Sequence, residues 1–282
     1  MKKYTYRILS LLVTVMFFSS CLKDDRMVLN PENTHNVVEF ANPGERALVG
    51  SVYPLYPLLV DLEPEVSLPV TVSYSGPEAV APQDIVVKIG LASEQVIVDY
   101  NDAEDTDFSM MPSNVYSLSA TEVTIPKGQS KATIMVNYKA NQFSFTDPYV
   151  LPLEIQSASY GTVSGNYNII LLQVGPKNEY HGTYRYTYNT SLGANLSGKN
   201  VSMVTAGPNT LKLLPGLISV YSNYVDYTID PVTNKITVNM TTLLPIATDP
   251  SSEYDPETKT LNVKWTSNGG SRTFIEKFVK ID

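Results

Sequence analysis

The sequence predicts an all-β protein: an immunoglobulin-like β-sandwich followed by a second small β-sandwich or barrel. Three observations carry that expectation. Apolar residues recur with period two, Gly and Pro punctuate these runs at short intervals, and no helical stripe of useful length interrupts them. Hydrophobic residues make up 43% of the 282, an ordinary share for a chain that buries a core and too high for a disordered one.

The chain opens with segments that stand outside the fold. Lys2, Lys3 and Arg7 precede an apolar run, Ile8 to Phe18, which is too short to span a bilayer, and small Ser19 and Ser20 lead directly to Cys21. This ending resembles the bacterial lipobox, so residues 1–20 read as a lipoprotein signal peptide and Cys21 as the lipidated residue. As the chain holds one cysteine, no disulfide framework supports the fold. Leu22-Lys23-Asp24-Asp25 resembles the export signal that sends Bacteroidetes lipoproteins to the outer face of the outer membrane. Residues 21–35 are polar and aperiodic, as befits a tether. Without the three cations of the signal, the net charge of -8 becomes more acidic still. Such a surface repels phosphate backbones and argues against a nucleic-acid partner.

The first β segment covers residues 36–175. Val66–Tyr74 alternates as a strand, with Pro69 suggesting a sheet edge. Ile85–Leu91 follows, then a strand, a Pro126-Lys127-Gly128 turn and a second strand reaching Val136. Tyr149–Ile155 and Tyr167–Val174 complete the set. Gly175-Pro176-Lys177-Asn178 stops the last strand and marks the boundary to a second β segment, residues 179–282. That segment offers strands at Tyr184–Tyr188, Tyr221–Ile229 and Lys235–Met240. It ends in a hairpin whose turn, Ser267-Asn268-Gly269-Gly270, contains the Asn-Gly pair that tolerates positive φ.

Residues that carry chemistry are few. The chain has two histidines, His35 and His181, far apart and without a neighbouring cysteine, which disfavours a transition-metal site or a Ser-His-Asp triad. No Gly-rich phosphate loop is present, and no cofactor is expected. Asp99, Asn101, Asp102, Glu104, Asp105 and Asp107 are dense in oxygen, but they lack the glycine turn and spacing of a calcium loop. A solvated acidic loop is the better reading. A glycosidase pair is defined by separation in space, which sequence does not give, but the chain is short for two β-domains plus a catalytic scaffold and is expected to be non-catalytic.

Tyrosine is abundant, with 19 residues, and Trp265 is the sole tryptophan. Aromatic rings stack on the C–H faces of sugars while neighbouring polar groups bond the hydroxyls. Strand phase places Trp265 with Leu261 and Val263, and Tyr227 with Val225 and Ile229, on apolar faces. Tyr224 shares the opposite face with Asp226 and is a candidate ligand contact. Tyr184, Tyr186 and Tyr188 share one face, either as a core layer or as an exposed platform, and Arg185 lies on the other. These three tyrosines and Arg185 join Tyr224 as candidate binding residues.

Asn101, Met111-Pro112, Tyr116-Ser117-Leu118, Val123 to Gly128 and Tyr149 to Ile155 occur in an order that resembles a Bacteroidetes lipoprotein domain of unknown function. Tyr180 to Tyr184, Ser252 to Asp255 and Gly269 to Arg272 are similar to the partner domain often found behind it. The resemblance implies an Ig-type sandwich in a lipid-anchored outer-membrane protein of a polysaccharide-utilisation locus, facing the medium. It further implies glycan binding in support of a Sus-type importer. It transfers no binding residue. The alternative is a structural or adhesive surface protein, fimbrial or assembly-related, that binds protein partners.

Overall fold

The computed structural model describes residues 34–192, 196–242 and 244–282. Cys21, the signal segment and the Lys23-Asp24-Asp25 motif lie outside the described residues. Among the described residues the architecture is all-β apart from one α-helix and two short 3-10 turns.

Eleven strands form the first part: β1 (Val37–Phe40), β2 (Leu55–Val60), β3 (Val66–Ser75), β4 (Ile85–Leu91), β5 (Ser109–Met110), β6 (Tyr116–Leu118), β7 (Glu122–Ile125), β8 (Lys131–Tyr138), β9 (Tyr149–Ala158), β10 (Thr162–Val163) and β11 (Ile169–Pro176). One sheet runs β10-β1-β3-β8-β6, and the other runs β2-β11-β9-β4-β7 with β5 beside β9. The alternation of their strands drives Val38, Val72 and Val136 from one sheet against Ile85, Leu153 and Leu172 from the other, so the two sheets share a single apolar layer.

Two sequence expectations change here. Pro69 lies inside a five-stranded sheet rather than at its edge. It pairs with Met135 of β8, while β1 reaches only Val72 to Ser75, so the missing N–H at Pro69 faces no second neighbour. The acidic segment is not a loop either. Gln95–Glu104 forms α1, because Val96, Ile97 and Tyr100 share one helical face and pack on Leu55, Val150 and Leu171 behind the second sheet. Its acidic residues point away from that contact. Asn101, at its end, spends its side chain on Phe108 and Thr106. Among the described residues no group of acidic, His or Cys side chains could hold a metal ion.

The remaining nine strands are β12 (Gly182–Thr190), β13 (Leu196–Gly207), β14 (Thr210–Leu214), β15 (Val225–Ile229), β16 (Ile236–Met240), β17 (Ile246–Thr248), β18 (Glu253–Asp255), β19 (Thr260–Ser267) and β20 (Arg272–Lys280). They make one antiparallel sheet, β16-β15-β14-β13-β12-β20-β19-β17, with β18 beside β19. Its two ends meet. Val238 of β16 donates its N–H to Thr248 Oγ1 of β17 at 2.9 Å, Ile236 N reaches Ser252 O at 3.1 Å, and Lys235 bridges Glu253. The sheet therefore wraps into a barrel with its own apolar interior, separate from that of the sandwich. The Asn-Gly turn joins β19 to β20, with Asn268 at φ 54° and Gly269 at φ 63°, as a primed turn requires.

Candidate functional site

The barrel interior is aromatic and holds one carboxylate. Tyr184, Tyr186, Tyr227, Trp265, Phe274 and Phe278 are all buried, with Trp265 stacked on Phe274 at 3.9 Å and Tyr186 on Phe278 at 4.4 Å between ring centroids. Glu276 falls in the inward phase of β20 between the two phenylalanines and is 2% exposed. Three donors converge on it: Tyr186 OH, Tyr227 OH at 3.0 Å and Trp265 Nε1 at 2.6 Å. Burial pushes this carboxyl above the ordinary range, against the pull of the three hydrogen bonds. Burial, with Glu276 second, likewise raises the phenols of Tyr186 and Tyr227.

This interior corrects part of the expected site. Tyr184, Tyr186 and Tyr188 are a core layer, not a platform, since their shared face is the one that β12 turns inward against Phe278. None of the three rings can stack on an external ligand. Arg185 is on the outside, where it lies flat over Gly198 and bonds Asn200 Oδ1 at 3.3 Å. Trp265 and Tyr227 are in the core, as their phase predicts.

Tyr224 is the aromatic candidate that remains open to solvent, 51% exposed. It precedes β15 rather than belonging to it, because residues 215–224 form a loop across one end of the barrel. Leu217, Ile218 and Ser219 turn inward and plug that end, while Val220, Tyr221 and Tyr224 face out. The loop is tightly held. Leu217 N bonds Asn223 O at 2.8 Å, Tyr221 N bonds Leu217 O at 3.1 Å, and the Lys199 amine donates to both Ser219 O and Ser219 Oγ at 3.2 Å. It is also strained: Ile218 at φ 49° and Ser219 at φ 54° occupy the left-handed region, a rare place for a β-branched residue.

Beside the loop, the Lys212 amine sits 4.6 Å from the centre of the Tyr224 ring. Lys212 pairs across the ladder with Asp226, which pairs in turn with Asn239, so a polar row flanks the ring on the outer wall. The Asp226 Oδ1 atom has no hydrogen-bond partner among the described residues. The arrangement joins the exposed Tyr224 ring to a cation, a carboxylate and an amide, the set of groups that a sugar ring uses, with Tyr221 exposed on the same loop. Of these, sequence phase indicates Tyr224 and Asp226. Tyr221, Lys212 and the strained loop are not readable from it, although Leu214-Pro215-Gly216 signals a turn.

A family model described as Domain of unknown function (DUF7015) matches residues 182–282. A second, described as "-like, N-terminal domain", matches residues 47–161. Among solved structures, the chain is similar to a Bacteroides ovatus protein of unknown function at 15% identity and TM-score 0.47, covering 86% of this chain and 93% of that one. It is similar to an auxiliary nutrient binding protein from Bacteroides thetaiotaomicron at 13% identity and TM-score 0.41, over 80% and 89% of the two chains. A candidate carbohydrate binding protein from Bacteroides ovatus matches at 16% identity and TM-score 0.41, over 72% and 67%. No curated protein matches the chain.

Proposed function

We propose that this protein is a non-catalytic surface lipoprotein that binds polysaccharide or oligosaccharide, with Tyr221 and Tyr224 at the barrel end as the stacking surface. The observation that carries this reading is the loop itself. A chain that holds Ile218 in a left-handed conformation and ties Ser219 to Lys199 spends stability to keep two aromatic rings in solvent. Backbone strain of this kind costs on the order of 1–3 kcal/mol per residue and collects at binding sites. The lipobox around Cys21 and the Lys23-Asp24-Asp25 motif support placement on the outer membrane facing the medium. There a glycan would be held for a Sus-type importer. The two separate apolar cores support two domains, residues 36–175 and 179–282, in series on the tether.

Affinity electrophoresis of the mature chain against plant, host and microbial glycans tests the reading. One glycan class should retard the protein. Tyr224→Ala should weaken that binding by roughly tenfold or more, as the loss of one stacked ring costs about 1–3 kcal/mol. Silence across the panel, or equal retardation of the variant, would sink the assignment. Turnover of the bound glycan would overturn its non-catalytic part.

A further inference from the structure

A cleft of about 660 Å³ opens where the sandwich meets the barrel, lined from both sides by groups of opposite chemical character. From the sandwich come Asp61, Leu62 and Glu63, which follow β2. The connecting stretch adds Lys177 and Glu179, and the barrel adds His181, Val204, Lys280 and Asp282. We propose that this cleft is a second saccharide site, in which ligand hydroxyls accept from His181 Nε2 and Lys280 Nζ and donate to the carboxylates of Asp61 and Asp282.

The cleft is preformed, because the stretch between the two cores is pinned at every step. Lys177 N bonds Val60 O at 2.8 Å, which extends the β2–β11 pairing, and its amine pairs with Asp61 at 3.3 Å. Asn178 is buried and clamps the β13–β14 hairpin, with Nδ2 donating to Gly207 O and Thr210 O at 2.9 Å each. Thr205 Oγ1 accepts from Asn178 N at 2.9 Å, and Thr205 N donates to His181 Nδ1 at 3.1 Å. A backbone N–H can only donate, so Nδ1 holds its lone pair and the ring proton resides on Nε2. Burial, then Lys177 and Lys280, lowers the pKa of His181, which keeps the ring neutral and that tautomer fixed at pH 7. Asp282 Oδ2 accepts from Thr183 N at 2.8 Å and lies against Gly182, where any Cβ would displace it.

The mixture of signs selects the ligand class. An anion entering beside Lys177 and Lys280 meets Asp61, Glu63, Glu179 and Asp282, and a cation meets the two amines. A neutral hydroxyl both donates and accepts, so it satisfies an amine and a carboxylate together, while the apolar side chains of Leu62 and Val204 offer contact to C–H faces. The inference shares only the ligand class with the barrel-end reading and involves different residues.

Since the chain has two histidines, the imidazole signals of His181 are separable by NMR, with His181→Asn for assignment. The probes are maltotriose, cellotriose, xylotriose and mannotriose at millimolar concentration, added to the full mature protein. At least one should move the His181 signal saturably. The shift should persist in a Tyr221→Ala/Tyr224→Ala double variant, and Lys280→Met should weaken it roughly tenfold, as loss of a charged hydrogen bond does. A His181 signal that stays still with every probe overturns the proposal, whatever the barrel end binds. So does a shift that vanishes in the tyrosine double variant, because it would then arise from the barrel end.

Discussion

Glu276 shows how one residue organises the barrel. A fully buried carboxylate is costly unless every lone pair it turns inward finds a donor, and here two phenols and the indole provide them. Removing it strands three donors in an apolar interior. Glu276→Ala should therefore destabilise the protein by about 3–5 kcal/mol. Glu276→Gln keeps a carbonyl acceptor for Trp265 and Tyr227, and Tyr186 can rotate its hydroxyl to accept from the new amide, so its cost should be about 1–2 kcal/mol. Urea unfolding followed by circular dichroism measures both; an alanine cost no larger than the glutamine cost would show that stranding the three donors is not what makes the loss of Glu276 destabilising. The same residue marks the limit of strand phase as evidence. Period two groups Tyr184, Tyr186 and Tyr188 on one face but does not say which side of the sheet that face is on. An acid in phase with Phe274 and Phe278 was a visible signal, but its three partners come from β12, β15 and β19, and no local pattern brings those together.

At the scale of elements, the strands with clear alternation and Gly or Pro at their ends were legible: β3, β4, β8, β9, β11, β19 and β20 fall where periodicity places them. α1 was not, because the three residues it buries make too faint a stripe beside an exposed Val98 and polar neighbours, and only the back of the second sheet gives them something to bury against. The stretch from Tyr221 reads as strand from its residues, yet only Val225–Ile229 is one, since Gly216 lets the chain fold back on itself first. A Cβ on Gly216 would lie 2.5 Å from the carbonyl oxygens of both Tyr221 and Asn223, which are backbone atoms and cannot swing aside. Gly216→Ala should thus break the Leu217–Asn223 contact, cost about 1–3 kcal/mol, and abolish glycan retardation as severely as Tyr224→Ala, with the far-ultraviolet dichroism of the barrel retained. Undiminished glycan binding in this variant would mean that the loop conformation is irrelevant to recognition.

At the scale of the whole molecule, the connection between the two cores is a structural joint instead of a loose linker, and His181 makes it sensitive to pH. Its pKa is lowered in the folded protein, first by burial and then by Lys177 and Lys280, with Asp282 and Asp61 opposing. The neutral ring is what accepts the Thr205 N–H, so protonation removes an acceptor and places a cation beside two amines. The unfolded chain, with an ordinary histidine value of about 6.5, binds the proton first as pH falls. Stability is therefore full above that value, declines as pH drops below it, and stops declining on this account once the lower folded pKa is passed. His181→Asn presents an amide oxygen to the same N–H without titrating. Urea midpoints measured from pH 8 to pH 5 should fall more steeply for the native chain than for the variant, because every carboxylate and His35 are common to both. Parallel profiles would show that the Thr205 contact does not couple the joint to protonation.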